Sequence, residues 1–359
     1  MLQTLKRDFI TWSASRKVAS ADWAGAIELL RNANRKHPHT VLERQIIDLL
    51  LQAQEGMNRS PLRQSAPLVK NPPANSPEFI GGTIPEIEFT ELTPPVLQAA
   101  IQQTGYLIVR GFFENAQASM VRECIDHAFA SRADALSDVP GAADSPWYYN
   151  SPQFSGGGHV AYSQRQNGAG PKRSGATRVI DSPRSTLKLL DLYASRGMAD
   201  LVRGYFDEEA VIAARKWVFR LIEPIPAQRE SIGGGWHQDG QFMGEGVSAL
   251  NLWVALSECG QGTAAPGIAL LPKRIEQILE YGTRGARMDW VVGSELVEEL
   301  AADAPIVCPH FEPGDALFFD HFSLHRSGHG AHQSERRYAL ESWFYSLSGT
   351  AGNVVLPML

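Results

Sequence analysis

The chain predicts an α+β protein: a double-sheet barrel or jelly roll with flanking helices, preceded by a small α-helical hairpin. Three observations predict it. Short apolar, strand-like runs separated by Gly and Pro turns dominate after residue 210, at 211–215, 216–222, 248–256, 267–271, 316–319 and 338–345. The clearest helical stripes, by contrast, lie in the first 55 residues. Gly (32) and Pro (22) are both abundant, which favours many turns over a helical bundle.

In order along the chain, Trp23, Ala26, Ile27 and Leu30 fall at helical spacing, and His37-Pro38-His39 interrupts the pattern. A second stripe follows at Leu42, Ile46, Leu49, Leu50 and Ala53, and Thr40 with Glu43 reads as a capping box. The pair resembles one tetratricopeptide-type hairpin over residues 1–55, suited to a structural cap on the main body or to docking a protein partner. Residues 56–82 mix Pro, Ser, Asn and Gly without period and read as a linker. From 83 to 359 the spacing predicts one large domain. A helix over 96–103 opens behind Pro94-Pro95 and stops at Gly105, and a strand follows over 106–110. Asn115 is expected to cap a helix reaching about residue 130. Residues 132–183 read as a long irregular segment of the kind that forms substrate lids, and two helices are expected over 184–206.

Composition narrows the function classes. With 33 Lys and Arg against 39 Asp and Glu, the net charge of −6 argues against nucleic acid as the partner. No apolar run is long enough to span a membrane. Cys124, Cys259 and Cys308 are too scattered for a disulfide framework or a zinc ribbon. The first ten residues lack an apolar signal-peptide core, so a reduced cytoplasmic location is expected.

The chemistry concentrates in residues 233–240, GGGWHQDG. On a strand, His237 and Asp239 would project from one face and could share a metal ion. A third donor is then needed from elsewhere, and residues 315–332 hold His321, His325, His329 and His332. Two histidines and one carboxylate on one face is the arrangement of non-haem iron(II) oxygenases. Trp236, beside the pair, alternates away from the metal and reads as core.

From about residue 105 to 346 the chain resembles the phytanoyl-CoA dioxygenase-like family of iron(II)- and 2-oxoglutarate-dependent oxygenases. The resemblance rests on GYLIVRGFFENAQASMVRECIDHAF, WHQDG, NLWVALSECGQG with GIALLP, FEPGDALFFDHFSLHRSG and ERRYAL, in that order. It implies a double-stranded β-helix (jelly-roll, cupin-like) core, and His237, Asp239 and His325 as ligands of Fe(II). His321 is the competing ligand or a residue shaping the pocket, and His329 and His332 read as loop residues. It implies Arg337, rather than neighbouring Arg336, as the anchor for the distal carboxylate of 2-oxoglutarate, because Arg presents a planar two-donor fork. Ser327 and Trp253 match co-substrate positions, and Asn251 shares the strand face of Trp253. The implied reaction consumes O2 and 2-oxoglutarate, releases succinate and CO2, and hydroxylates an unactivated C–H bond of a small-molecule substrate. A carboxylate at Asp239, where related halogenases need a small residue, favours hydroxylation, desaturation or cyclisation.

The pattern departs from the family at Ala264-Ala265-Pro266-Gly267 and at Leu271-Pro272-Lys273-Arg274, near the rim of the expected pocket. His159, Tyr162, Arg165 and Arg173 could meet a polar substrate or simply be solvated. Lys216 and Arg220 share a strand face and could add positive charge near the metal. Two other readings compete: a cupin-like metal-dependent hydrolase or isomerase, which has no need for Arg337, and a non-catalytic interaction protein working through the hairpin.

Overall fold

The computed structural model describes residues 2–57, 77–152, 175–223, 235–244, 246–328, 333–350 and 352–358. Most of the expected linker lies outside these residues, as do His159, Tyr162, Arg165, Arg173, His329 and His332.

Three helices open the chain, one more than the expected hairpin: α1 (Leu2–Ala19), α2 (Trp23–Lys36) and α3 (Thr40–Met57). The capping box at Thr40 and Glu43 does not form. The His39 ring nitrogen instead accepts the backbone N–H of Val41, and Glu43 is buried with its carboxylate receiving the Arg184 guanidinium at 2.9 Å. A carboxylate that leaves water needs a charged donor more than a helix end needs a cap. The same helices present Arg31 and Arg35 to Asp191, both at 2.7 Å, and Asp48 to Tyr149 and Ser151. Ala26, Ile27, Leu30, Ile46, Ile47 and Leu50 join one apolar core with the helices and sheet that follow.

That body contains β1 (Glu86–Glu88), α4 (Pro94–Thr104), β2 (Tyr106–Arg110) and α5 (Asn115–Leu136). Gly105 ends α4 at φ +87, where glycine carries no Cβ penalty. Asn115 is the first residue of α5 and not its cap. Glu114 and Gln117 form the reciprocal capping box, and the helix runs about six residues beyond the expected end. The segment expected to be irregular contains β3 (Ala176–Arg178), and helices α6 (Pro183–Ser195) and α7 (Met198–Phe206) follow. The remaining elements are β4 (Ala210–Ile222), β5 (Ala249–Ala255), β6 (Gly267–Leu270), α8 (Ser294–Leu300), β7 (Ala316–Asp320), β8 (His325–Gly328), β9 (Arg337–Ser346) and β10 (Val355–Pro357).

Eight strands form a mostly antiparallel sheet in the order β1-β2-β7-β5-β9-β4-β10, with β3 on β4 and only β1–β2 parallel. A separate antiparallel pair, β6–β8, faces it. Alternation sorts the side chains into two layers. Leu107, Leu250, Leu252, Phe318, Leu340 and Phe344 pack outward against the helices. Tyr106, Trp253, Phe319, Ala339, Trp343 and Tyr345 pack inward with Ile268 and Leu270 of the small sheet. The functional side chains lie on this inner face.

The runs 211–215 and 216–222, expected as separate strands, are one strand with a register shift between Ile212 and Trp217. The shift reverses its parity. Ile212 and Ala214 face the outer core before it, whereas Trp217 and Phe219 do so after it. Lys216 and Arg220 are thereby turned inward, the re-aiming that a bulge accomplishes.

The N-terminal helices therefore cover apolar surface of the main body. A chain starting at residue 58 is expected to lose its cooperative thermal transition, because this shared core would face water. Circular dichroism melts of the full and shortened chains check this, and an unchanged melting temperature would contradict it.

Candidate metal centre

His237 and Asp239 are not on a regular strand. His237 makes an isolated bridge to His325, exchanging backbone hydrogen bonds of 3.0 and 3.1 Å, and Asp239 opens a 3-10 turn over Asp239–Phe242. The bridge sets the two histidines side by side, with ring centroids 4.4 Å apart. The turn then brings the carboxylate back beside them. Between the two ligands, the Gln238 amide is fully buried; it donates to the carbonyls of Gln277 and Phe322 and accepts the N–H of Leu279. Gly240 completes the turn against His321, its N–H donating to that carbonyl at 2.9 Å. A Cβ on Gly240 would meet the same carbonyl oxygen at 2.8 Å, so the glycine of the HQDG sequence is a steric requirement.

One ligand atom from each of His237, Asp239 and His325 lies within 4.8 Å of the others. The Nδ1 of His237 is 2.9 Å from the Gly235 carbonyl, and that of His325 is 3.1 Å from the Ser323 carbonyl. A carbonyl only accepts, so Nδ1 carries the proton on each ring and Nε2 offers its lone pair to the centre. Burial, helped by the neighbouring His325, pushes His237 down to about 4, so its ring is neutral and ready to ligate. Burial pushes the Asp239 carboxyl up, but Lys216 and the two imidazoles outweigh it and hold the group below the ordinary carboxylate range. Two imidazoles, oriented by the carbonyls behind them, and one carboxylate fit a first-row divalent ion with open coordination positions.

His321 is not a fourth donor. It follows the end of β7, where its Nδ1 lies 3.3 Å from the Ala249 carbonyl, and its role is to support Gly240. Trp236 is buried in a third apolar cluster as expected, with the Arg326 guanidinium over its ring.

The two arginines at the start of β9 separate as alternation requires. Arg336 is exposed and pairs with Glu223 at 2.9 Å. Arg337 is 4% exposed, lies over the Trp253 ring at 5.7 Å, and donates to the carbonyls of Pro266 and Gly267. No carboxylate among the described residues pairs with it, and its Nε has no hydrogen-bond partner. Burial, with Arg220 adding repulsion, lowers its affinity for its proton. A buried guanidinium without an anion is costly, so Arg337 is suited to an incoming carboxylate. The departure from the family pattern at 264–267 supplies the carbonyls that hold this arginine.

Gly267 stands opposite Gly328 and Ile268 opposite Ser327, so Ser327 lies between His325 and the strand end nearest Arg337. Asn251 is fully buried opposite Trp343 and Phe319, and neither side-chain atom has a partner among the described residues. The Phe319 ring is in turn 4.8 Å from His325. A buried amide with open donors and acceptor on this inner face is suited to a bound polar group.

Sequence reasoning missed Phe242 and Trp290 and gave Lys216 only as a charge near the metal. Lys216 donates to Asp239 Oδ1 at 2.9 Å, leaving Oδ2 toward His325. Phe242 and Trp290 flank His237, at ring separations of 6.4 and 5.9 Å. The charge of Lys216 was legible, but its contact depends on the register shift in β4. Trp290 lies 53 residues from His237 in sequence, and no local pattern connects them. Outside this centre, Glu258, His310 and Glu312 group on the surface. All three cysteines are free, and no described helix is long and apolar enough to cross a membrane.

The sequence matches the family model for phytanoyl-CoA dioxygenase over residues 101–338. Among solved structures it is similar to EctD from S. alaskensis with 2-oxoglutarate and 5-hydroxyectoine, at 18% identity over 81% of this chain and 86% of that one, with a TM-score of 0.47. The non-heme alpha ketoglutarate dependent epimerase SnoN from nogalamycin biosynthesis is 15% identical over 70% of this chain and 83% of that one, with a TM-score of 0.44. EvdO2 from Micromonospora carbonacea var. aurantiaca, complexed with 2-oxoglutarate, is 16% identical over 69% and 89%, also at 0.44. No curated protein matches the chain.

Proposed function

This chain belongs to the phytanoyl-CoA dioxygenase family, and we propose that it hydroxylates an unactivated C–H bond of a small-molecule metabolite, releasing succinate and CO2. Iron(II), 2-oxoglutarate and O2 are its cofactor and co-substrates. The observation that carries the proposal is the coexistence, on one buried inner face, of three grouped metal-type donors and an arginine with no carboxylate partner among the described residues. A metal-dependent hydrolase would use the first and leave the second unexplained.

His237, Asp239 and His325 would hold the iron from one side, which leaves positions for the 2-oxo acid and O2. The bound iron and co-substrate supply the oxidising power that amino-acid side chains lack. Lys216 fixes which oxygen of Asp239 faces the centre. Arg337, with Ser327 and Trp253, would receive and orient the distal carboxylate, and Asn251 would hydrogen-bond the co-substrate between that arginine and the metal. The apolar wall of Phe319, Trp343 and Leu317 keeps water from the reacting groups.

Anaerobically reconstituted protein is expected to bind iron(II) and 2-oxoglutarate together. On exposure to O2 it should form one succinate per 2-oxoglutarate consumed, slowly even without the primary substrate. Succinate quantified by chromatography checks this. Protein that binds iron but not 2-oxoglutarate would overturn the proposal.

A further inference from the structure

We propose that the metal centre is flanked by a receptor for a carboxylate-bearing substrate, in which Lys216 and Tyr345 take the carboxylate and Phe242 with Trp290 cover the apolar body attached to it. This rests on the iron and 2-oxoglutarate reading above and goes on to name the substrate class.

The co-substrate positions run from His325 past Ser327 to Arg337, at the start of β9. Tyr345 lies on the same inner face eight residues further along β9, roughly 25 Å of extended strand away. A five-carbon diacid held at Arg337 does not reach it. Yet Tyr345 is fully buried, and its hydroxyl has no hydrogen-bond partner among the described residues. Burial pushes its phenol up to about 12, so the hydroxyl stays protonated. It is a donor awaiting an acceptor.

Lys216, on the neighbouring strand, is brought to the same inner face by the register shift in β4, which turns an otherwise outward position toward Asp239. An ammonium carries three N–H donors and can serve Asp239 and a second acceptor together. Formal charge favours an anion as that acceptor. Lys216 offsets Asp239, and Arg220 pairs with Glu341 at 2.7 Å. Iron(II) would offset the dianionic co-substrate, whose distal carboxylate Arg337 receives, and these groups together then carry one net positive charge. One substrate carboxylate balances it.

The apolar part of the receptor adjoins the cation. The Lys216 ammonium is 5.3 Å from the centre of the Phe242 ring, and Phe242 is 6.2 Å from Trp290. Phe242 is 43% exposed, although it neighbours the ring of a metal ligand. The Gln241 amide donates to the Trp290 carbonyl at 2.8 Å and fixes the two aromatic segments together. An exposed phenylalanine and a half-buried tryptophan beside a half-buried cation suit a ring or chain ending in a carboxylate.

The test uses full-length protein loaded with cobalt(II) and saturating 2-oxoglutarate, so that the co-substrate site is filled and no turnover occurs. Fluorine NMR measures binding of 4-fluorophenylacetate and of its neutral counterpart, 2-(4-fluorophenyl)ethanol. The acid is expected to bind at least roughly tenfold more tightly, and Lys216→Met should abolish that preference. Tyr345→Phe should weaken the acid by roughly tenfold while raising the melting temperature, since it removes a buried hydroxyl that the fold leaves unpaired. A merely structural tyrosine would not give that opposition. Equal or absent binding of the two probes to loaded wild-type protein, or unchanged acid affinity in Tyr345→Phe, would overturn the receptor alone. Failure of wild type to take up cobalt(II) and 2-oxoglutarate would overturn the metal-centre reading and the receptor with it.

Discussion

His237→Ala is expected to abolish iron retention through gel filtration and to lower 2-oxoglutarate turnover by at least about a thousandfold, with little change in melting temperature. Loss of orienting groups behind a metal ligand already costs about 10–100-fold in affinity or activity, and loss of the ligand itself removes one of only three donors. Stability should hold because the residue is neutral when folded: burial keeps its ring pKa near 4, so no charge is stranded by its removal. Its backbone bridge to His325 does not depend on the side chain. Asp239→Ala should lose iron equally but also destabilise the fold, since Lys216 would lose its 2.9 Å partner while remaining largely buried. Iron per chain, succinate yield and thermal melts separate the two variants. Equal stability losses would show that Lys216 does not depend on Asp239.

The grouping of His237, Asp239 and His325 was legible because its chemistry is local. HQDG supplies two donors with one residue between them, and the Gly-Asp turn at 314–315 marks the start of the strand preceding the third. Strand alternation is nonetheless not what brings the first two together. A regular strand would have aligned His237 and Asp239 by alternation, whereas a bridge residue followed by a 3-10 turn brings them together. The sequence pattern survives because either backbone path converges the side chains, and the small Gly240 permits the turn.

Helix ends were read less well, for a consistent reason. At Thr40 and Asn115 a favourable local cap was available, but long-range demands took precedence. Glu43 is drawn to Arg184, 141 residues away, and the box at α5 begins one residue earlier, at Glu114. The parity of β4 was hidden in the same way. Nothing in residues 211–222 announces the register shift that separates Ile212 from Trp217, because it is set by pairing with β9 and β10. Lys216 consequently passed as a nearby charge, when it is a direct contact of a metal ligand.

Arg337→Met is expected to raise the 2-oxoglutarate concentration needed for half-maximal turnover by at least about a hundredfold, with iron uptake unchanged. A hundredfold is about 2.7 kcal/mol, the range of a two-donor charge-assisted contact in a buried site. The sign of the stability change distinguishes this from general damage. In the protein alone the guanidinium is buried without a carboxylate partner among the described residues, so a similarly sized apolar side chain should leave the melting temperature equal or higher. Adding 2-oxoglutarate should reverse the order. At a hundred times its dissociation constant a ligand stabilises the folded state by about 2.7 kcal/mol, and the variant would forgo that increment. Arg337→Lys should not restore function, because a point-like ammonium cannot lie flat over Trp253 and reach a carboxylate with two parallel donors. Arg336→Ala should change neither affinity nor stability appreciably, since it removes an exposed ion pair with Glu223, a contact worth about 0–1 kcal/mol. A larger loss at Arg336 than at Arg337 would mean that strand β9 presents the opposite face to the co-substrate. That outcome would also displace Tyr345 from the inner face, because both residues have the same parity on that strand.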